Sequence, residues 1–110
     1  MKLPNSKNAY ISSSKLLDYL LSQTHPIGKT KARYLRSVGF NESNIDSLRQ
    51  SLINLSQTEE IKEAIASPHG VKYLIDGSIQ TPVGTYIKLR TIWIIDSGQD
   101  YPRFVTAYPL

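Results

Sequence analysis

The sequence predicts an α+β fold in which N-terminal helices pack on a C-terminal antiparallel sheet of about four strands. Three observations carry this expectation. Apolar residues recur at helical spacing through about residue 57. The pattern changes around Pro68-His69-Gly70. From Val71 onward the chain is rich in Val, Ile, Thr, Tyr and Trp and is punctuated by turn residues. A helical part over about residues 14–57 and a sheet part over about 61–109 make one domain spanning 1–110, the size of a single ordinary core.

The elements follow in order. Ser14 can cap a first helix carrying Leu16, Leu17, Leu20 and Leu21 on one side. This helix should end near Gln23, because Pro26 disfavours helical backbone at His25. A second helix is expected from Gly28 to Val38, with Gly39 placed to end it. A third begins at Ser43-Asn44-Ile45-Asp46, a capping-box pattern, and continues with Ile45, Leu48, Leu52 and Leu55 at helical spacing. Ile61 to Ala66 reads as either a short strand or a helical tail. Val71 to Ile75 reads as a strand that meets a turn or bulge at Asp76-Gly77. Thr81-Pro82-Val83-Gly84 is a hairpin turn, Tyr86 to Ile95 a long strand, Ser97 to Asp100 a second turn and Arg103 to Tyr108 the last strand. Alternation puts Leu89, Thr91, Trp93 and Ile95 on one face of the long strand and Lys88, Arg90, Ile92 and Ile94 on the other. Neither face is purely polar, which marks a central strand. The same rule puts Phe104, Thr106 and Tyr108 together on the last strand.

Composition narrows the functional classes. Apolar residues make up 40% and charged residues 20%, enough for a packed core and unlike a disordered chain. With no cysteine, disulfides, thiolate metal sites and a thiol nucleophile are all excluded. Two isolated histidines, His25 and His69, give no metal-ligand spacing, so neither a metal nor another cofactor is expected. No apolar run approaches membrane-spanning length, and Met1 to Tyr10 lacks a signal-peptide core. The expected location is cytoplasmic. The net charge of +4 is unevenly spread. Residues 1–40 hold seven Lys or Arg against one acid, Asp18, whereas residues 41–110 hold six against eight. A basic first third suits an anionic partner such as nucleic acid, or is simply an exposed basic helix face.

Two segments bring together groups able to handle a phosphodiester. The first runs from His25 to Arg36. His25 can give or take a proton near neutral pH. Lys31 shares a helical row with the apolar Leu35 and Val38, so it either snorkels to solvent or reaches a site between helix and sheet. The Gly28 backbone, at the helix start, could join His25 and Lys31 around an anion. Lys29, Arg33 and Arg36 form one stripe, which is either a solvated face or a steering surface for RNA. The second segment is the closing pair of strands. There Thr91 and Thr106 could hold phosphate oxygens, with Arg90 or Arg103 offsetting the charge. Trp93 and Tyr108 could stack a base if exposed. The structural alternatives are plain: threonine is a good strand former and Trp93 a core aromatic.

The motifs His25-Pro26-x-Gly28-x-x-Lys31-Ala32-Arg33, Gly39-Phe40, Lys72-Tyr73-x-x-Asp76-Gly77, Arg90-Thr91-x-Trp93-Ile94-Ile95 and Pro102-Arg103-x-Val105-Thr106-Ala107-Tyr108-Pro109 resemble a bacterial family of small uncharacterised domains, domains of unknown function, found alone or at the ends of larger toxin-like proteins. The order of helices and sheet is also similar to the barnase–EndoU–colicin–RelE group of ribonuclease toxins. That resemblance implies a metal-independent endoribonuclease of toxin type, cleaving RNA, tRNA included, by 2′-hydroxyl attack on phosphate and restrained by a cognate antitoxin or immunity protein. In this expectation His25, Lys31, Thr91 and Thr106 are catalytic, and Lys29, Arg33, Arg36, Arg90, Arg103, Trp93 and Tyr108 bind substrate. No glutamate stands where barnase-like chemistry would need its base. Two alternatives remain open: a non-catalytic RNA- or protein-binding module, or one partner of a toxin–antitoxin or immunity pair.

Overall fold

The computed structural model describes residues 1–22, 24–26 and 29–110. Gln23, the expected end of the first helix, and Gly28, the expected start of the second, lie outside the described residues.

Among the described residues, three α-helices, with short 3₁₀ and π-helical turns before and between them, precede four strands. The first, α1 (Ser13–Lys15), runs directly into a π-helical turn (Leu16–Leu20). Its cap is Ser12 rather than Ser14: the Ser12 side chain accepts from the Lys15 N–H at 3.1 Å. The turn closes with an i→i+5 bond from the Leu21 N–H to the Leu16 carbonyl, 2.8 Å. This wider winding buries Leu16, Leu20 and Leu21 but rotates Leu17 outward, against the expectation that all four share one side. Helix α2 (Lys29–Ser37) ends at Gly39, whose φ of +104° is the left-handed conformation glycine adopts without strain. Helix α3 (Ile45–Thr58) follows a 3₁₀ turn over Glu42–Asn44. Its capping box sits at Asn41–Asn44, a few residues before the expected place: the Asn41 side chain accepts from the Ser43 N–H, and the Asn44 side chain from the Asn41 N–H. Leu48, Leu52 and Leu55 are buried as their spacing predicts.

The sheet is an antiparallel meander in the order β1 (Glu63–Ser67), β2 (Gly70–Gln80), β3 (Tyr86–Asp96) and β4 (Arg103–Pro109). The ambiguous segment before Pro68 is therefore a strand. Asp76-Gly77 is not a turn, because β2 continues through it to Gln80. The glycine serves packing instead: a Cβ on Gly77 would stand 2.9 Å from the Leu55 side chain, so its absence lets α3 lie close on the strand. Strand β3 is central, with Leu89, Thr91 and Trp93 buried on the helix side and Ile94 on the other. A bulge between β3 and β4 corrects the expected facing of β4. Trp93 pairs with Phe104 and Ile92 with Thr106, leaving Val105 as the extra residue. Phe104 and Ala107, three apart, are consequently the buried pair, and Thr91 faces Ala107 rather than Thr106.

The core lies between the helices and one face of the sheet. Trp93 is at its centre, edge-on to Phe104 with ring centroids 5.3 Å apart. Its indole N–H donates to the Thr91 hydroxyl at 2.9 Å, and that hydroxyl donates to the Ile75 carbonyl at 2.8 Å. The N-terminal segment adds Leu3, Ala9 and Ile11 to this core. It also lines the outer edge of β4 through a parallel bridge between Tyr10 and Arg103. Strand β1 differs, being exposed at all five positions. Among the described residues no helix is long and apolar enough to cross a membrane.

Candidate functional site

The chain between α1 and α2 is shaped by Ser22, whose side chain accepts from the Thr24 and His25 N–H groups at 3.3 and 3.1 Å. The His25 carbonyl then accepts from the Lys29 N–H at 3.0 Å. These bonds tie His25 to the mouth of α2 and leave its ring half-buried. The ring meets Tyr19 edge-on, with centroids 5.0 Å apart and planes at 89°.

Tyr19 is the centre on which the other groups converge. Lys31 reaches from α2 and donates its ammonium to the Tyr19 Oη at 2.8 Å. Thr106 reaches from β4 and shares a hydrogen bond with the same oxygen at 3.0 Å. The Lys15 Nζ stands 4.8 Å from the Tyr19 ring centroid and the Lys31 Nζ 5.3 Å. Four segments thus supply one cluster: Lys15 and Tyr19 from the first helical region, His25 from the connection, Lys31 from α2 and Thr106 from β4. An open groove of about 330 Å³ leads to it, lined by Ser12, Ser14, Lys15, Asp18, Tyr19 and His25.

Burial acts to raise the Tyr19 pKa. The hydrogen bonds from Lys31 and Thr106, with the charges of Lys31 and Lys15, outweigh it and hold the phenol below its ordinary value. Lys31 is half-buried and lines an apolar space with Leu20, Leu35 and Ala107, while its ammonium reaches the Tyr19 oxygen. It therefore extends into a site between helix and sheet, the second of the two sequence alternatives. Among the described residues no carboxylate lies within salt-bridge distance of Lys15 or Lys31. The groove presents the Lys15 ammonium, the His25 imidazole, the Tyr19 ring and the Ser12 and Ser14 hydroxyls beside the Asp18 carboxylate, and the Lys31 ammonium and Thr106 hydroxyl stand on the Tyr19 oxygen, groups able to hydrogen-bond a phosphate ester.

Of the expected catalytic residues, His25, Lys31 and Thr106 each contact Tyr19. Thr91 does not: it is fully buried with its hydroxyl committed to Trp93 and Ile75. Trp93 is fully buried too and presents no face for a base. Lys29 and Arg33 are exposed on α2, as a steering surface requires. Arg36 departs from that stripe: its guanidinium donates twice to the Leu21 carbonyl, at 3.0 and 2.8 Å, and pairs with Glu42. Arg90 and Arg103 are held in two-pronged pairs. Arg90 meets Asp76 at 2.8 and 2.9 Å, and Arg103 meets Asp96 at 2.6 and 3.1 Å. Hydrogen bonding to these arginines keeps both carboxyls below the usual range. Tyr108 is half-buried, opposite Arg90 in the sheet, and lines an apolar space shared with Lys31 and Tyr34. His69 lies in the β1–β2 turn, exposed.

Sequence reasoning missed Tyr19 and Lys15. The available signal was their i, i+4 spacing on the helix leading to His25, but the π-helical turn that aims Tyr19 at Lys31 leaves no such mark.

The fold has a solved counterpart. A chain of the contact-dependent growth inhibition toxin–immunity protein complex from Klebsiella pneumoniae 342 superposes with a TM-score of 0.74, covering 96% of each chain at 16% identity. At that identity the likeness establishes a shared fold. No curated protein matches the sequence. A family model spanning residues 2–110 does match, and the chain accordingly belongs to the DUF6883 family, a domain of unknown function.

Proposed function

We propose that this protein is an endoribonuclease of toxin type, acting on RNA through the groove beside Tyr19. The observation that carries the reading is that His25, Lys31 and Thr106, drawn from three separate segments, all contact Tyr19, His25 at its ring and the other two at its oxygen. RNA carries its own nucleophile in the 2′-hydroxyl, so cleavage needs proton transfer and charge stabilisation rather than a bound metal. His25 supplies a group for proton transfer, and Lys31 a cation for the charged phosphorane. Thr106 orients the phosphate or sugar. Exposed Lys29 and Arg33 on α2 steer the polyanion toward the groove, with salt-sensitive binding as the consequence. Tyr108 lines an apolar space shared with Lys31 and is the remaining candidate to stack a base. The shared fold with a chain of a toxin–immunity complex supports a place in such a pair and a cognate partner protein.

The alternative is a non-catalytic module of such a pair, gripping RNA or a protein. The wholly exposed strand β1 favours it, since an open sheet edge can accept a strand from a partner.

The test is cleavage of total tRNA in excess EDTA by the wild type and by His25→Ala. Fragments ending in 2′,3′-cyclic phosphate and 5′-hydroxyl, made by the wild type and lost in the variant, are the expected result. Intact RNA retained in a salt-sensitive way would replace the enzyme with the binding module.

A further inference from the structure

We propose that Tyr19 is a catalytic residue of this site, its phenolate oxygen taking the proton from the RNA 2′-hydroxyl. This rests on the ribonuclease reading and supplies the base that the sequence lacked as a glutamate.

The geometry is built for a phenolate. Lys31 has protons to donate and nothing to accept with, so the Tyr19 oxygen must accept at that 2.8 Å contact. With its proton on, the phenol accepts from Lys31 and can donate to or accept from Thr106. With its proton off, the same oxygen accepts from both Lys31 and Thr106, at 2.8 and 3.0 Å. Lys15 and Lys31 also lie 4.8 and 5.3 Å from the ring centroid, where each cation gains attraction when the ring turns negative. The ionisable groups around Tyr19 are Lys15 and Asp18 from its own helical region, His25 from the connection and Lys31 from α2. Strand β4 contributes only the uncharged Thr106. The lowered Tyr19 pKa agrees with this balance. The groove brings solvent, and hence substrate, to the ring.

The step balances as follows. Tyr19 Oη takes the 2′-hydroxyl proton, and the freed electron pair forms the new bond from the 2′-oxygen to phosphorus. The bond from phosphorus to the 5′-oxygen breaks, and that oxygen takes a proton from the His25 imidazolium. The products are a 2′,3′-cyclic phosphate and a 5′-hydroxyl. Exchange with water restores Tyr19 and His25. Lys31, already on the Tyr19 oxygen, stands beside the charge that develops on the phosphorane.

Two measurements on the intact protein test this. The first is a ¹³C-tyrosine NMR titration of the wild type, Tyr19→Phe and Lys31→Met. Of the seven tyrosines, one should titrate below the others. That transition should vanish in Tyr19→Phe and move up in Lys31→Met. The second is the pH dependence of RNA cleavage. Tyr19→Phe should lower the rate about 100-fold. In Lys31→Met the alkaline-rising limb should move up with the NMR transition, which keeps the test intact if Tyr19→Phe does not fold. Seven tyrosines titrating together in the ordinary range would overturn the proposal. So would full cleavage by Tyr19→Phe while His25→Ala is inactive, and then the ribonuclease reading would survive. A low-titrating Tyr19 in a protein that cuts no RNA would remove the ribonuclease reading and the base role with it.

Discussion

The arginines of the sheet and the lysines of the helices look alike in the sequence, and the structure uses them in opposite ways. Arg90 and Arg103 each face an aspartate across the sheet, Asp76 and Asp96, and close both prongs of the guanidinium on it. Arg36 is similarly spent on the Leu21 carbonyl and Glu42. Lys15 and Lys31 instead face the ring and hydroxyl of Tyr19. A cation neutralised by a carboxylate has its charge consumed in holding the fold. A cation set against a phenol keeps its charge while the phenol holds its proton, and holds the phenolate once that proton is lost. On the ribonuclease reading, the cations paired with carboxylates hold the fold and those set on Tyr19 serve the chemistry.

This contrast can be broken most forcefully at Lys31. Lys31→Met should lower RNA cleavage by about 100-fold while circular dichroism shows the fold retained; wild-type activity in that variant would erase the distinction. Arg90→Met should do the reverse. It leaves Asp76 partly buried without its partner and should lower the urea midpoint, with the cleavage rate per folded molecule nearly unchanged.

A finer test uses acid. Hydrogen bonding from arginine lowers the folded pKa of Asp76 and Asp96, and holds Glu42 at about 2. A lowered folded pKa stabilises the protein at pH values above the unfolded one, and that stability drains as pH falls through the folded value. Urea midpoints should therefore be flat near neutrality and decline below about pH 4. The Asp76→Asn/Asp96→Asn double variant should start lower and decline less. Equal slopes for the two proteins would show that these pairs do not govern acid sensitivity. The smallest effect concerns steering. Lys29→Ala and Arg33→Ala should each reduce the slope of log affinity for RNA against log salt by about 1, measured by fluorescence anisotropy. An unchanged slope would move the RNA path off α2.

How much of this could be read from the sequence depended on whether the signal was local. The fold class followed from periodicity, and Leu48, Leu52, Leu55 and Gly39 fell where spacing and turn chemistry put them. His25, Lys31 and Thr106, expected around a phosphate, each contact Tyr19, whereas Thr91 is buried. The failures share a different origin. The bulge that leaves Val105 unpaired is a property of two strands together, and it moved Thr106 away from Thr91. Asp76-Gly77 looks like a turn in isolation, yet the glycine answers the approach of α3. Arg36 sits on a basic stripe, yet its guanidinium crosses to a carbonyl fifteen residues back. Tyr19 escaped notice because its importance comes from Lys31 and Thr106, partners distant in the chain.

The central claim is that RNA engages the Tyr19 cluster and not the paired arginines. Its most direct test is amide NMR mapping of the wild type with a short RNA made uncleavable by 2′-deoxy substitution. The account predicts shift changes at Lys15, Tyr19, His25, Lys31 and Thr106, with Asp76 and Arg90 silent. Changes centred on Asp76 and Arg90, or along β1, with the Tyr19 region unmoved, would contradict it.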